Sequence, residues 1–342
     1  MDVNNLQKVF NDKEETPAFA GAVLISKTKT LYEQQYGLAN RSEEIPITPH
    51  TRFGMASGCK IFTAVAICQL VEQGLVEFST KIKDCLPISY QYIDPDITVS
   101  QLLTHSSGVP DYFDEEIMDD YEELWRDKPM YSMNHPKDFL PMFQNQQMKF
   151  KSGKQFSYSN SGYILLGLLI EELTGMTFVD YIEKNIFERC NMKQSGYFRM
   201  DMLPKNVAIG YIDDDHLSSW RTNVYSLPLK GGPDGGAYTT THDLDLFWGS
   251  LLNNQLLSKS YTDLLLTPHI EVDEGLYYGY GVWISMHNDE VFKYFIFGYD
   301  PGVRLSSSVY AKSHIHSHIL SNVNINVNMY AREIDKLVKT TI

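Results

Sequence analysis

Runs rich in β-branched and aromatic residues stand at both ends of this chain, and the stretch between them reads as helix. Near the N-terminus, FAGAVLISKTKTLYEQQYGLANRS divides into two short strands, Gly21–Ser26 and Thr30–Tyr36, around a polar turn. Far downstream, residues 278–285, 292–298, 303–310 and 314–321 are four more β-rich runs separated by turn residues. Strands so far apart satisfy their edges by entering one sheet, which makes the helical middle an inserted lobe. The expected class is therefore α+β. Residues 1–80 with 230–342 would form the sheet lobe and 81–229 the mainly helical lobe, acting as one catalytic unit with its site in the cleft between. With 342 residues, 43% of them hydrophobic, the chain can bury such a core.

The helical signals are local. From 57 to 73 the apolar residues are nearly continuous, with Gly74 as the stop, so this helix is expected to be buried on most sides. Thr98 is placed to cap a helix through Leu103. Residues 161–173 form an apolar helix ended by Gly175, and Thr177 starts an amphipathic one through Arg189. The acidic, aromatic-rich run DYFDEEIMDDYEELWRD, 111–127, reads as a solvated helix face.

A formal net charge of −14, from 43 acidic and 29 basic residues, disfavours nucleic acid, whose phosphates need a basic footprint. The first residues, MDVNNLQKVFNDKEE, lack an apolar signal segment, and no run of about 18 apolar residues occurs. Cys59, Cys68, Cys85 and Cys190 show no CxxC spacing and read as reduced, mostly buried thiols. The expectation is a soluble, cytoplasmic protein without nucleic-acid or membrane partners, its oligomeric state left open.

Ser57-Gly58-Cys59-Lys60 is an S-x-x-K tetrad. If a helix begins at Ser57, the ammonium of Lys60 shares its face and reaches the Ser57 hydroxyl. The Ser57 N–H is then a free first-turn amide, half of an oxyanion hole beneath an activated nucleophile. Alone, this spacing is common by chance. About a hundred residues later Tyr158-Ser159-Asn160 precedes the apolar 161–173 helix. A phenol and an amide on alternate loop positions can face one cleft. Tyr158 beside an ammonium can share or relay the Ser57 proton, as phenolate or phenol, and Asn160 can hold Lys60 or a substrate carbonyl.

The runs TRFGMASGCKIFTAVAICQLVEQGLVEFSTKIKDCLP, ITVSQLLTHSSGVPDY, YSNSGYILLGLLIEELTG and GGAYTTTHDLDLF resemble the β-lactamase-related serine hydrolases. That family includes class C β-lactamases, penicillin-binding proteins, D-aminopeptidases and esterases, and the resemblance extends with gaps from about Phe19 to Asn322. It implies an antiparallel sheet flanked by helices with an inserted mainly helical lobe. It also implies Ser57 as the acylated nucleophile, Lys60 as its proton partner, Tyr158 as a second acid/base and Asn160 as a polar site residue. Small esters, amides or D-amino-acid peptides are the substrates it implies, with β-lactams at most weakly, and no cofactor is required.

The family's third motif, Lys-Thr-Gly or His-x-Gly, corresponds here to Phe295-Ile296-Phe297-Gly298-Tyr299-Asp300-Pro301-Gly302. The Pro-Gly pair sets Gly298 at the motif glycine and Ile296 where Lys or His is expected. The backbone N–H of Tyr299 still serves an oxyanion hole with that of Ser57, because it needs no particular side chain. A carboxylate grip is missing, which costs about 1.5–3 kcal/mol per charge-assisted hydrogen bond. Arg304 and Lys293 read as solvated strand residues rather than substitutes. A competing reading is a degenerate module that binds peptide or cell-wall fragments without turnover.

His314, His316 and His318 alternate along a run read as strand, and H-x-H pairs chelate zinc or nickel. No carboxylate or cysteine stands at a clear spacing to them, so they are read as a polar face of an edge strand, with no metal site assigned. His105 reads as a structural turn residue, Gly235-Gly236 as close backbone packing at the cleft floor, and Cys59 as core.

Overall fold

The computed structural model describes residues 3–11, 18–89, 91–214 and 219–340. Part of the polar N-terminal segment and the last two residues of the expected sheet lobe lie outside them.

Eight antiparallel strands form the central sheet. β1 (Gly21–Ser26) and β2 (Thr30–Tyr36) coincide with the strands expected near the N-terminus. β3 (Ile270–Asp273), β4 (Leu276–Tyr278), β5 (Trp283–His287), β6 (Glu290–Asp300), β7 (Val303–Tyr310) and β8 (His316–Ser321) come from the last third. The spatial order is β2-β1-β8-β7-β6-β5-β4-β3. The two ends of the chain pair directly, Gly21 opposite Ser321 and Ser26 opposite His316. The α+β class is as expected.

Two β-rich runs break differently from their pattern. Residues 278–285 are not one strand: Gly281 takes a φ of +70°, and the Gly279 N–H binds the Val282 carbonyl at 2.8 Å. The chain therefore reverses into β4 and β5, with Tyr278 opposite Trp283. His314, at φ +54°, lies in the turn before β8 and not on the strand.

One face of the sheet carries α1 (Val3–Asn11) and α7 (Val327–Lys339), packed on Val23, Ile25 and Ile319. The rings of Phe10 and Tyr330 stack there at 5.0 Å. The other face carries α2 (Lys60–Glu72), α6 (Thr241–Leu252) and the helices of the chain's middle, around a core that includes Phe62, Val65, Trp248, Ile296 and Leu305. Every residue of α2 from Lys60 to Leu70 is buried. Phe62 meets Phe187 and Phe247 edge-on at 5.0 and 4.9 Å.

Capping residues act where the sequence places them. Thr98 and Gln101 form a reciprocal capping box on α3 (Val99–Leu103). Ser159 caps α4 (Asn160–Thr174), and Gly175 ends it in the left-handed conformation. Thr177 caps α5 (Phe178–Ile182), which passes into a wider π turn over Glu183–Phe187 instead of one regular helix through Arg189. The acidic run 111–127 is only partly a solvated face. Asp111, Tyr112 and Trp125 are buried, and the segment forms two short turns, Tyr121–Glu123 and Leu124–Asp127. Among the described residues no single helix is long and apolar enough to cross a membrane.

Candidate active site

Ser57 does not begin the α-helix. It lies in a 3-10 turn, Ala56–Cys59, and α2 starts at Lys60. Ala56 enters that turn at φ +46°, a conformation that costs a non-glycine residue free energy and is held by its full burial. The turn rests against β6 where the sheet opens. β5 pairs with β6 no further than Trp283 opposite Phe295. Gly298 permits the contact: a Cβ there falls 2.1 Å from the Met55 carbonyl oxygen and 2.9 Å from the Gly58 nitrogen. Gly298 is thus a spacer behind the site. Ser57, Tyr158, Asn160 and Tyr299 border a cleft of about 680 Å³.

Lys60 is 2% exposed beneath that cleft. Its Nζ donates to Ser57 Oγ at 3.0 Å, to Asn160 Oδ1 at 2.8 Å and to the Asp234 carbonyl at 2.5 Å. An ammonium there has all three N–H groups engaged, one of them on the Ser57 hydroxyl. Pro233 and Asp234 come from the GGPDGG loop, which Thr63 Oγ1 also holds through the Pro233 carbonyl at 2.6 Å. Gly231 and Gly236 let this loop double back on itself, with their backbones too close for a side chain. Cys59 is core, its thiol pushed up to about 11 by burial.

The Tyr158 ring lies 4.9 Å from Lys60 Nζ, and its phenol is hydrogen-bonded to Ser57. Burial, reinforced by the charge of Glu115, holds the phenol well above its usual range. Tyr158 is therefore a neutral phenol at rest and not the phenolate that proximity to Lys60 alone would allow. His105, at φ +55°, sets the loop beneath it. The Ser159 N–H donates to His105 Nδ1 at 3.0 Å, which leaves Nε2–H to donate to the Tyr278 hydroxyl at 3.2 Å. Burial, with the charge of Lys60, keeps the imidazole neutral.

Asp111 is the residue that sequence reasoning missed. Its carboxylate accepts the Asn160 N–H at 2.9 Å and Nδ2 at 3.2 Å, and the Ser161 N–H and Oγ at 2.9 and 3.0 Å. It thus closes the N-terminus of α4 and turns the Asn160 amide so that Oδ1 faces Lys60. Burial outweighs these donors and pushes its carboxyl up to about 6. The segment GVPDY carries an acidic residue ahead of a family-like turn, but its pairing with residue 160 is a tertiary fact.

Two expectations about charge change. Lys293 is buried on the α7 side of the sheet, bound to both oxygens of Asp335 at 2.9 and 2.8 Å, and is remote from the cleft. Arg304 is not a solvated strand residue; it borders the cleft, its guanidinium 5.2 Å from the Tyr299 ring centroid and bound to the Asp300 and Val303 carbonyls. Ile296 is 2% exposed in the core, two residues from Gly298 on the same strand face. The cleft wall carries Glu115, Asp119, Asp120, Glu122, Asp234 and Asp300 against Arg221, Lys230 and Arg304. Arg221 is spent on Glu122, which it binds at 2.8 Å to each oxygen.

This fold and this arrangement define a class, the serine hydrolases of the β-lactamase and penicillin-binding-protein fold. The chain belongs to the Beta-lactamase family, whose model matches residues 6–313. It is similar to penicillin-binding protein 4* of Bacillus subtilis (strain 168), 30% identical over 303 residues that cover 84% of this chain and 64% of that one. It spans less than two thirds of the length of the curated relatives it matches. A penicillin-binding protein from Bacillus halodurans, 46% identical, superposes with a TM-score of 0.92 over 97% of this chain and 99% of its own. A D-stereospecific amidohydrolase from Streptomyces sp. shares the fold at 20% identity and a TM-score of 0.80, with 97% and 98% coverage.

Proposed function

We propose that the chain hydrolyses small esters or amides through an acyl-enzyme on Ser57, with a preference for substrates that carry an ammonium group. The observation that carries the reading is the 3.0 Å contact between Lys60 Nζ and Ser57 Oγ at the floor of an open, acidic cleft. In the reactive form, with Lys60 as the free amine and Tyr158 as the phenol, Ser57 Oγ attacks the substrate carbonyl while its proton passes to Lys60 Nζ. The backbone N–H groups of Ser57 and Tyr299 take the oxyanion, and the Lys60–Tyr158 pair returns the proton to the leaving alcohol or amine. Water then attacks the acyl-enzyme, and the same groups act in reverse.

The substrate class follows from the walls. Glu115, Asp119, Asp120 and Asp300 favour a cation, whereas a carboxylate meets repulsion and finds no charged grip at position 296. The rings of Trp283 and Phe297, stacked at 5.3 Å on the cleft border, supply an apolar wall for a side chain. An amino-acid amide or ester with a free amine, of D configuration by the family resemblance, fits both features.

The test is intact mass spectrometry and turnover with a fluorophosphonate, a fluorescent penicillin, and paired D- and L-amino-acid esters, for the native chain and Ser57→Ala. The expected result is an adduct at Ser57 and faster turnover of the amine-bearing D-ester. No adduct and no turnover with any probe would sink the hydrolase and favour the binding module.

A further inference from the structure

We infer that the chain carries a divalent transition-metal site, suited to zinc, at the seam between β8 and α6, built from Asp245, His316 and His318. None of these residues borders the catalytic cleft. The carboxylate absent from the local spacing is supplied by α6, 71 residues before His316. The two histidines sit at alternate positions of a central strand, so both imidazoles leave the same face of the sheet. One carboxylate oxygen and one nitrogen from each ring all lie within 4.8 Å of one another.

The geometry is close to that of a bound ion. His316 Nδ1 is 2.7 Å and His318 Nε2 is 3.4 Å from Asp245 Oδ1. A tetrahedral ion with bonds of about 2.0–2.2 Å sets its ligand atoms roughly 3.3 Å apart. The longer pair already matches that spacing, and the shorter opens by about 0.6 Å on the same reckoning. Two imidazole nitrogens and one carboxylate oxygen form a borderline set that suits zinc and leaves a fourth position for water or a further ligand. His318 is fully buried and His316 nearly so, while the carboxylate is about a third exposed, which provides the entry path.

The surroundings already orient the ligands. His318 Nδ1 is 2.8 Å from Ser307 Oγ, which in turn accepts the Trp248 indole N–H at 2.9 Å. This is the outer contact that a metal-bound histidine uses to fix its ring and tautomer. Ser26 Oγ donates to Asp245 Oδ1 at 2.7 Å and holds the carboxylate in place. Three donors converge on that one oxygen, an arrangement that a cation replaces directly. The proton count closes within the site. On binding, the His318 proton shifts from Nε2 to Nδ1, where Ser307 accepts it, and the His316 proton shifts from Nδ1 to Nε2. An ion here ties α6 to the strand that joins the chain's two ends.

The experiment uses tag-free protein with all 342 residues: zinc titration by calorimetry after chelator treatment, cobalt absorption spectra, and thermal melts with and without zinc. Expected are one site per chain, a tetrahedral cobalt spectrum, and a melting temperature that rises with zinc through preferential binding to the folded state. His316→Ala and Asp245→Asn should each weaken binding at least about 100-fold and abolish the cobalt spectrum, and Ser307→Ala should weaken it by about 10-fold. Circular dichroism and a cooperative melting transition report that each variant is folded, and His316→Gln carries the test if Asp245→Asn is not. Zinc binding that is equal in the native chain and the His316 variant, or absent at high micromolar zinc, overturns the proposal.

Discussion

Replacing Asp111 with asparagine tests whether a residue that never touches substrate sets the geometry of Lys60. The carboxylate has two donors on each oxygen, and asparagine offers one oxygen and one NH2 in the same space. Two charge-assisted hydrogen bonds are lost, at about 1.5–3 kcal/mol each. Against this stands relief of a buried charge. A carboxyl raised from its usual value to about 6 costs the folded state roughly 3 kcal/mol at neutral pH. The net stability change at pH 7 is therefore small, about 0–3 kcal/mol.

Activity responds more sharply. With the Asn160 amide no longer oriented, Lys60 loses one of its three acceptors, and acylation should slow about 10- to 100-fold. The folded-state pKa of Asp111 is raised, so the native protein holds this proton to higher pH than the unfolded chain. Its contribution to stability is present below about pH 4 and declines as pH rises through 6. Urea unfolding at pH 4 and pH 7 should show the native chain losing roughly 2.4 kcal/mol more than Asp111→Asn over that interval. Stopped-flow acylation by the fluorophosphonate supplies the second readout. An Asp111→Asn protein that acylates within twofold of the native rate refutes the positioning argument, whatever its stability.

Other perturbations reach different parts of the site. Gly298→Ala drives a methyl group into the Met55 carbonyl, and the displaced Ser57 turn should lower turnover about 100-fold or more; activity within a factor of a few would show that the turn yields at little cost. Asp300 is buried enough to push its carboxyl up to about 7, so it is neutral in acid and anionic above that value. The KM for a trimethylammonium ester should fall as pH rises from 6 to 8 while that of a neutral ester stays flat, and Asp300→Asn should remove the difference. Ile296→Lys puts an ammonium on the strand face of Gly298 and should raise acylation by a fluorescent penicillin while lowering the melting temperature, because the position is 2% exposed. Unchanged penicillin acylation would argue against position 296 as the carboxylate grip.

What was legible in the sequence is what short-range physics determines. The caps at Thr98 and Ser159, the left-handed stop at Gly175 and the strands at 21–26 and 30–36 are set by neighbours within a few residues. The Ser57–Lys60 spacing belongs with them, since three residues of helical or 3-10 backbone bring the two side chains together. Even there the local turn differed: a first-turn α-helical Ser57 became a 3-10 residue behind a left-handed Ala56, because β6 presses Gly298 against it.

Burial and distant pairing were decided by the tertiary structure alone. Asp111 read as part of a solvated acidic run until α4 brought four donors to it across 49 and 50 residues. His316 and His318 gained a carboxylate only when α6 crossed their strand. Tyr158 is a phenol because its surroundings are dry, a property that no pattern of neighbours in the chain encodes. Sequence periodicity records which face of an element is apolar. Which charge lies opposite that face, and how much water remains between them, depends on how the elements pack.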